Sequence, residues 1–286
     1  MTSYAALMVH AGPNAAAEAR IRLAADLADR FDAALIGFAS GAIMLPAFMA
    51  PPGIAPVFSP ALTNEVFEAE QQRVEAELRA AHERFRAVAE REGRSTGWRS
   101  FLEQPADALA REARAADLLI LGRDREASRS EPDWAVDVGD ALMRAGRPVL
   151  VVPPGISVLE ARRVLVAWKD TREARRAVAD ALPLLTGAEE VLVVEAIPDA
   201  EGREQALRRV GDVAALLARH GATARGEALE TSDRPVADDL LLAAERHGAD
   251  LIVAGGYGHA RLREWAFGGV TRDLLARCPK CCMLSH

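Results

Sequence analysis

The chain has only three cysteines, Cys278, Cys281 and Cys282. Cys278-x-x-Cys281 invites a metal or redox reading, but a zinc site needs about four ligands, and no second Cys/His pair stands at a suitable spacing. The three read instead as buried strand thiols, since free cysteine packs as a small hydrophobe. Positive charge is also short: 35 Lys and Arg against 42 Asp and Glu leave a net charge of −7. That excludes a general nucleic-acid binder, which presents a basic face. No apolar run approaches the roughly 18–20 residues of a helical membrane span. The opening stretch "MTSYAALMVHAGPN" lacks the basic region of a secretory signal, so the expected compartment is the cytoplasm and no membrane partner is expected. His10, His82, His220, His247, His259 and His286 are scattered, with no HExxH pair, so no metal site is expected. A G-x-S-x-G nucleophile elbow and the Lys-Ser/Thr of a Walker loop are missing as well.

What is present is a repeat. "AADLLILGRD" (115–124) is echoed by "GADLIVAGGY" (248–257), and "GRPVLVVPP" (146–154) by "CPKCCMLSH" (278–286). "YAALMVHAGPNAAAEARIRLAADLA" is echoed by "RRVLVAWKDTREARRAVADALPLL". The 286 residues therefore read as two copies of one unit, 1–154 and 155–286. In the second copy, strands are expected at 163–168, 190–196, 222–229, 250–255 and 280–285, and helices at 172–185, 201–220, 234–247 and 269–277. The first copy predicts strands near 4–10, 33–38, 97–102, 117–121 and 148–152, and a long helix from Thr63, as cap, to Glu92. Gly93 and Gly221 stand where helices should stop. Near-continuous apolar strands alternating with helices predict an α/β fold, in which each copy is a doubly wound parallel sheet with helices on both faces. In such sheets ligands bind beyond the carboxyl ends of the strands, at the switch point. The first copy also carries an insertion at 40–60, rich in proline and large apolar groups. It reads either as a packing surface for a partner, the other copy or a site, or as an ordered loop folded on itself.

"GGYGHARLREWAFGGVTRD" (255–273) carries the chemistry. Gly255 and Gly258 follow a strand, where glycine admits close backbone approach. Gly268 and Gly269 open the next helix, where free N–H groups and the dipole favour an anion. Thr271 adds a hydroxyl, and His259, Arg261 and Arg263 add positive charge. The segment reads either as a phosphate cradle or as an ordinary glycine-rich connection. Trp168 reads equally as a base-stacking ring and as core, while Trp265 reads as an anchor for its loop. Arg172, Arg175 and Arg176 read as a solvated face. The first copy has Gly122 at the strand end but only Gly139 near the next helix, with Asp137 and Asp140 to repel phosphate and Arg123 and Arg125 to offset them in part. It reads as structural, and His10, at the end of its first strand, does too.

These features resemble the universal stress protein family, whose five-stranded domains are often fused in tandem. Its ATP binders carry glycine, two residues, glycine, nine residues, glycine, then serine or threonine; here stand Gly255, Gly258, Gly268 and then Gly269. The resemblance covers both copies. It implies an adenine-nucleotide-hydrolase-like fold with strand order 3-2-1-4-5. It also implies an adenine pocket at Ala167, Trp168 and Lys169, main-chain contacts near Ala196, and Ala254 beside the ribose. Gly255 and Gly258 would then hold ribose and phosphates, and Gly268, Gly269, Val270 and Thr271 would hold phosphates. Two positions depart. Lys169 stands where the family has an acid that accepts from adenine, with Asp170 next, and lysine cannot accept a hydrogen bond. Gly269 replaces the final hydroxyl residue.

The expected function is that of an ATP-binding regulator of stress adaptation, with one site in the second copy, magnesium accompanying the nucleotide, and slow hydrolysis at most. Two alternatives stand beside it: an interaction protein of the same fold that binds no nucleotide, and a weak ATPase. Apolar edge strands usually pair, so "RPVLVVP" and "KCCMLS" are expected to join the two copies to each other. The insertion offers a surface for a further homodimer.

Overall fold

The computed structural model describes residues 3–14, 16–43, 60–90, 94–123, 134–256 and 269–286. Most of the insertion, Gly93, and the centre of the glycine segment, including Gly258, His259, Trp265 and Gly268, lie outside the described residues.

The first half runs β1 (Ala6–His10), α1 (Ala16–Phe31), β2 (Ala34–Ser40), α2 (Pro60–Ala89), β3 (Thr96–Phe101), α3 (Pro105–Glu112), β4 (Leu118–Gly122), α4 (Val138–Arg144) and β5 (Val149–Val152). The second runs β6 (Arg163–Trp168), α5 (Arg172–Leu185), β7 (Glu190–Ile197), α6 (Arg203–Arg219), β8 (Ala224–Glu230), α7 (Val236–His247), β9 (Leu251–Gly255), α8 (Gly269–Arg277) and β10 (Cys281–Ser285). One sequence expectation fails at α2, which begins at Pro60, so Thr63 lies inside the helix and does not cap it. Proline's fixed φ suits a first helical turn. Elsewhere the stops follow sequence chemistry. Gly248 closes α7 in the left-handed conformation at φ 69°, and Gly221, just beyond α6, takes φ 91°, a region that favours glycine.

Ten strands form one sheet in the order β3-β2-β1-β4-β5-β10-β9-β6-β7-β8. Each half is thus a parallel 3-2-1-4-5 sheet. The halves join where β10 runs antiparallel to β5, with Cys282, Met283 and Leu284 opposite Val151, Leu150 and Val149. The seam satisfies two fully buried apolar strands that would otherwise be edges. The remaining edges, β3 and β8, carry Arg99, Arg225, Glu227 and Glu230, charges that blunt edge pairing.

Helices cover both faces. One core layer joins β-strand residues such as Leu7, Val9, Val164 and Met283 to α1, α2, α5 and α6. The other joins Met8, Leu119, Leu165 and Ile252 to α3, α4, α7 and α8. Both layers run through both halves. Cross-half hydrogen bonds add to them: the Tyr4 hydroxyl donates to the Asp180 carbonyl at 2.7 Å, and Arg30 donates to the Glu160 carbonyl at 2.6 Å. Cys278, Cys281 and Cys282 are free and buried; burial pushes the Cys281 thiol up to about 12, as befits an inert core thiol.

Candidate functional site

In the second half, β6, β7 and β9 end around a cavity of about 420 Å³, within the roughly 300–1,000 Å³ common for small-molecule sites. It lies at the switch point, where the chain leaves β6 for one neighbour and β9 for the other. Ala167, Trp168 and Lys169 line it from the exit of β6, Ala196 from β7, and Ala254 and Gly255 from β9. Gly269, Val270 and Thr271 line it from the first turn of α8. Thr171 caps α5 by accepting from the Ala174 N–H at 3.3 Å, which turns the chain sharply out of β6 beside the cavity.

Helix α8 brings its amino end to this space with no acidic residue in its first turn. Among the described residues, a Cβ added at Gly269 would meet nothing within 4 Å, so these residues leave the approach to the N–H groups clear. Unpaired N–H groups and the positive end of the helix dipole make this the anion-favouring end of the cavity. Gly255 is different. A Cβ there would stand 2.5 Å from the Ala174 nitrogen, so close packing of α5 on β9 accounts for this glycine without a ligand. At Gly256 a Cβ would meet Leu142 of α4 at 2.4 Å, a contact across the seam.

Trp168 is 8% exposed. It packs in the core while lining the cavity, so core and wall roles coincide. Its indole N–H is buried and has no hydrogen-bond partner among the described residues. Asp170 does not line the cavity; its carboxylate pairs with Arg175 instead. The first turn of α5 draws Asp170 outward, so it does not supply the acceptor that the Lys169 position lacks. Arg172 and Arg176, both exposed, pair with the buried Glu173 and with Asp180 respectively.

Sequence reasoning missed one acid. Glu195 of β7 lines the cavity directly opposite Trp168 in the sheet register. Its side chain is 11% exposed, and its carboxylate is bound by Arg209 of α6, with Nε 2.9 Å from Oε2. A glutamate inside the apolar strand "EVLVVEAI" is the signal that could have found it, because a carboxylate enters a strand core only when paired.

The equivalent place in the first half is nearly filled. A cleft of about 20 Å³ remains between His10, Gly122 and Trp134, room for one or two waters. Trp134 is 3% exposed and packs against Gly41, where an added Cβ would sit 2.7 Å from the ring. The helix opening is also closed: Asp137 caps α4, its Oδ1 accepting from the Asp140 N–H at 2.7 Å. The repulsive carboxylate expected from the sequence thus serves as an internal anion.

Residues 160–286 match the profile of the Universal stress protein family. The match is confined to this second half, which is similar to the universal stress protein family. The fold of the whole chain agrees. It superposes on a universal stress protein from Archaeoglobus fulgidus DSM 4304 with a TM-score of 0.69 at 12% identity, covering 98% of this chain and 95% of that one. A functionally unknown protein from Pseudomonas aeruginosa PAO1 matches with a TM-score of 0.57 at 15% identity, covering 99% and 92%. At these identities the likeness is one of fold. No curated protein sequence matches the chain. Among the described residues no helix is long and apolar enough to cross a membrane, and no group of three His, Cys, Asp or Glu could hold a metal. The universal stress protein profile falls on the half that keeps the open cavity, and the filled half lies outside it.

Proposed function

We propose that this chain is a tandem universal stress protein, with units 1–154 and 155–286, whose second unit binds an adenine nucleotide, ATP with magnesium, and acts as a regulator in stress adaptation. One observation carries this reading: the acid-free start of α8 opens onto a cavity of about 420 Å³ at the switch point, while the same helix in the first half is closed by Asp137. Phosphates would take the N–H groups of Gly269, Val270 and Thr271, and Gly258, His259 and Gly268 remain proposed contacts. The base would lie toward Ala167, Trp168, Lys169 and Ala196, with the ribose by Ala254 and Gly255. Hydrolysis would be slow, because the cavity's carboxylate, Glu195, is held by Arg209 on the sheet face opposite α8. An interaction protein without nucleotide is the second reading, favoured by the packing reason for Gly255. Calorimetric titration of the full chain with ATP, with and without magnesium, separates the two. Saturable heat with micromolar to sub-millimolar affinity supports the proposal, and no heat at millimolar nucleotide removes it.

A further inference from the structure

The cavity is chemically two-ended. One end is the amino terminus of α8, whose backbone N–H groups are donors and whose Thr271 hydroxyl serves either way. At the other, the tips of β6 and β7 bring Trp168 and Glu195 side by side, about 5 Å apart between backbones. Among the described residues lining the cavity, Glu195 is the only carboxylate. Lys169 offers donors, and Thr171 and Thr231 offer hydroxyls that serve either way.

Glu195 is also pinned. Arg209 Nε lies 2.9 Å from Oε2 and 3.1 Å from Oε1, and Nη2 also donates to Oε1. A carboxylate has about four acceptor positions, so this fork leaves capacity for a further donor. The residue is 8% exposed overall, and the open space beside it is the cavity. A ligand that fills this space strips the remaining water from the carboxylate. A ligand amine replaces that water, whereas a ligand carbonyl sets two acceptors against each other. Leaving a charged group unsatisfied in this way costs more than leaving a neutral one so.

We infer that Glu195 is the specificity-determining residue of this site, accepting a hydrogen bond from the exocyclic amine of the bound base and so selecting a 6-aminopurine over a 6-oxopurine. The assignment rests on the nucleotide reading above. It gives the site an acceptor on β7, where neither Lys169 nor Asp170 provides one. It differs from a purely structural Glu195–Arg209 pair, which ties β7 to α6 but is blind to the base.

The test is calorimetry on the full chain with ATP and with inosine triphosphate at equal magnesium. These differ at the purine 6-position, amine against carbonyl. ATP is expected to bind at least about tenfold more tightly, the factor that 1.4 kcal/mol represents. Glu195→Gln offers an amide N–H as well as a carbonyl and is expected to bring the ratio near one, chiefly by gaining inosine triphosphate. If Glu195→Gln melts before titration, Glu195→Asp, which keeps the charge and withdraws the carboxylate by one methylene, is expected to lower the ratio. Equal affinities in the parent chain, or a tenfold ratio that survives in the folded variant, overturn the assignment alone. Absence of binding by either nucleotide overturns the nucleotide reading and this assignment with it.

Discussion

The contrast between the two halves can be tested by converting one into the other with a single side chain, Gly269→Asp. Gly269 is the first residue of α8, and an added Cβ would meet no atom of the described residues within 4 Å, so the change clashes with none of them. It supplies the start of α8 with the carboxylate that Asp137 gives α4. A carboxylate at an exposed helix start stabilises by about 0.3–1 kcal/mol, and removal of a helical glycine adds some tenths. Stability should therefore hold or rise by up to about 1 kcal/mol. Binding should move the other way. A carboxylate about 4 Å from a phosphate, at an effective dielectric near 20, costs about 4 kcal/mol per charge pair, on the order of a thousandfold in affinity. The assay is thermal melting without ligand followed by calorimetric titration with magnesium ATP, with Gly269→Ala as the control that fills the same space without charge. The expected signature is crossed: the Asp variant melts no lower than the parent yet loses at least a hundredfold in affinity, by the same Coulomb figure discounted tenfold for relaxation, while the Ala variant keeps both. An Asp variant that binds like the parent would show that no anion sits on α8, and an Ala variant that loses binding would refute the open approach.

Trp134→Phe should cost less than about 1.5 kcal/mol in denaturant unfolding, since it trims a ring and removes an indole N–H that has no partner among the described residues; Trp134→Ala should cost about 3–5 kcal/mol. Neither should create nucleotide binding in the first half, because Asp137 still closes α4. Gly255→Ala should lower the ligand-free melting point by the equivalent of about 1–3 kcal/mol, because its Cβ would meet the Ala174 backbone at 2.5 Å; an unchanged melting point would refute the packing reason for this glycine. Asp239 is held below the usual carboxylate range, first by the Ser232 N–H at 2.9 Å and then, against its desolvation, by the Ser232 hydroxyl. A depressed folded value means this stabilisation is present above the unfolded value near 3.9 and is lost as pH falls through the lower folded value. Asp239→Asn should flatten that acid limb in melting curves taken below about pH 4.

Elements marked by local chemistry were legible in the sequence at their boundaries. Strand 163–168 and helices 172–185 and 269–277 appear with the expected ends, because apolar runs there meet Thr171 and the paired glycines. The start of α2 was misread at Thr63, since a threonine cap and a proline at the first turn are competing signals and Pro60 prevails. Of the cavity's floor, Gly255 was legible from its place after a strand, while Ala167 and Ala254 were named only through the family resemblance. Glu195 and Thr231 were not legible. They reach the cavity from β7 and from beyond β8 by lateral strand pairing, which sequence spacing does not encode. Asp170 stands next to Lys169 in sequence, but the pair with Arg175 carries its side chain away from the cavity. The filling of the first cleft by Trp134 was equally hidden, as its partners Gly41 and Val74 lie far away along the chain.

The seam gives the filled half a physical part in the open one. Arg123 follows β4 as Gly256 follows β9, so the two are counterparts in the repeat. Gly256 is small because Leu142 of α4 lies against it. Arg123 is long and donates across the seam to the Cys278 carbonyl, one residue past the end of α8. A cation at a helix carboxyl end complements the dipole, so the first half braces the far end of the helix whose amino end faces the cavity. The His286 ring meets the Gly256 carbonyl at 3.2 Å, and the Gly256 N–H donates to the Ser285 carbonyl at 2.7 Å, fixing the exit of β9 from the β10 side. A duplicated sheet joined at its last strands thus places each half's β4–α4 or β9–α8 exit against the other's helix. Loss of the first cleft leaves that bracing intact, because it needs Arg123, Leu142 and the β5–β10 ladder and nothing inside the cleft itself.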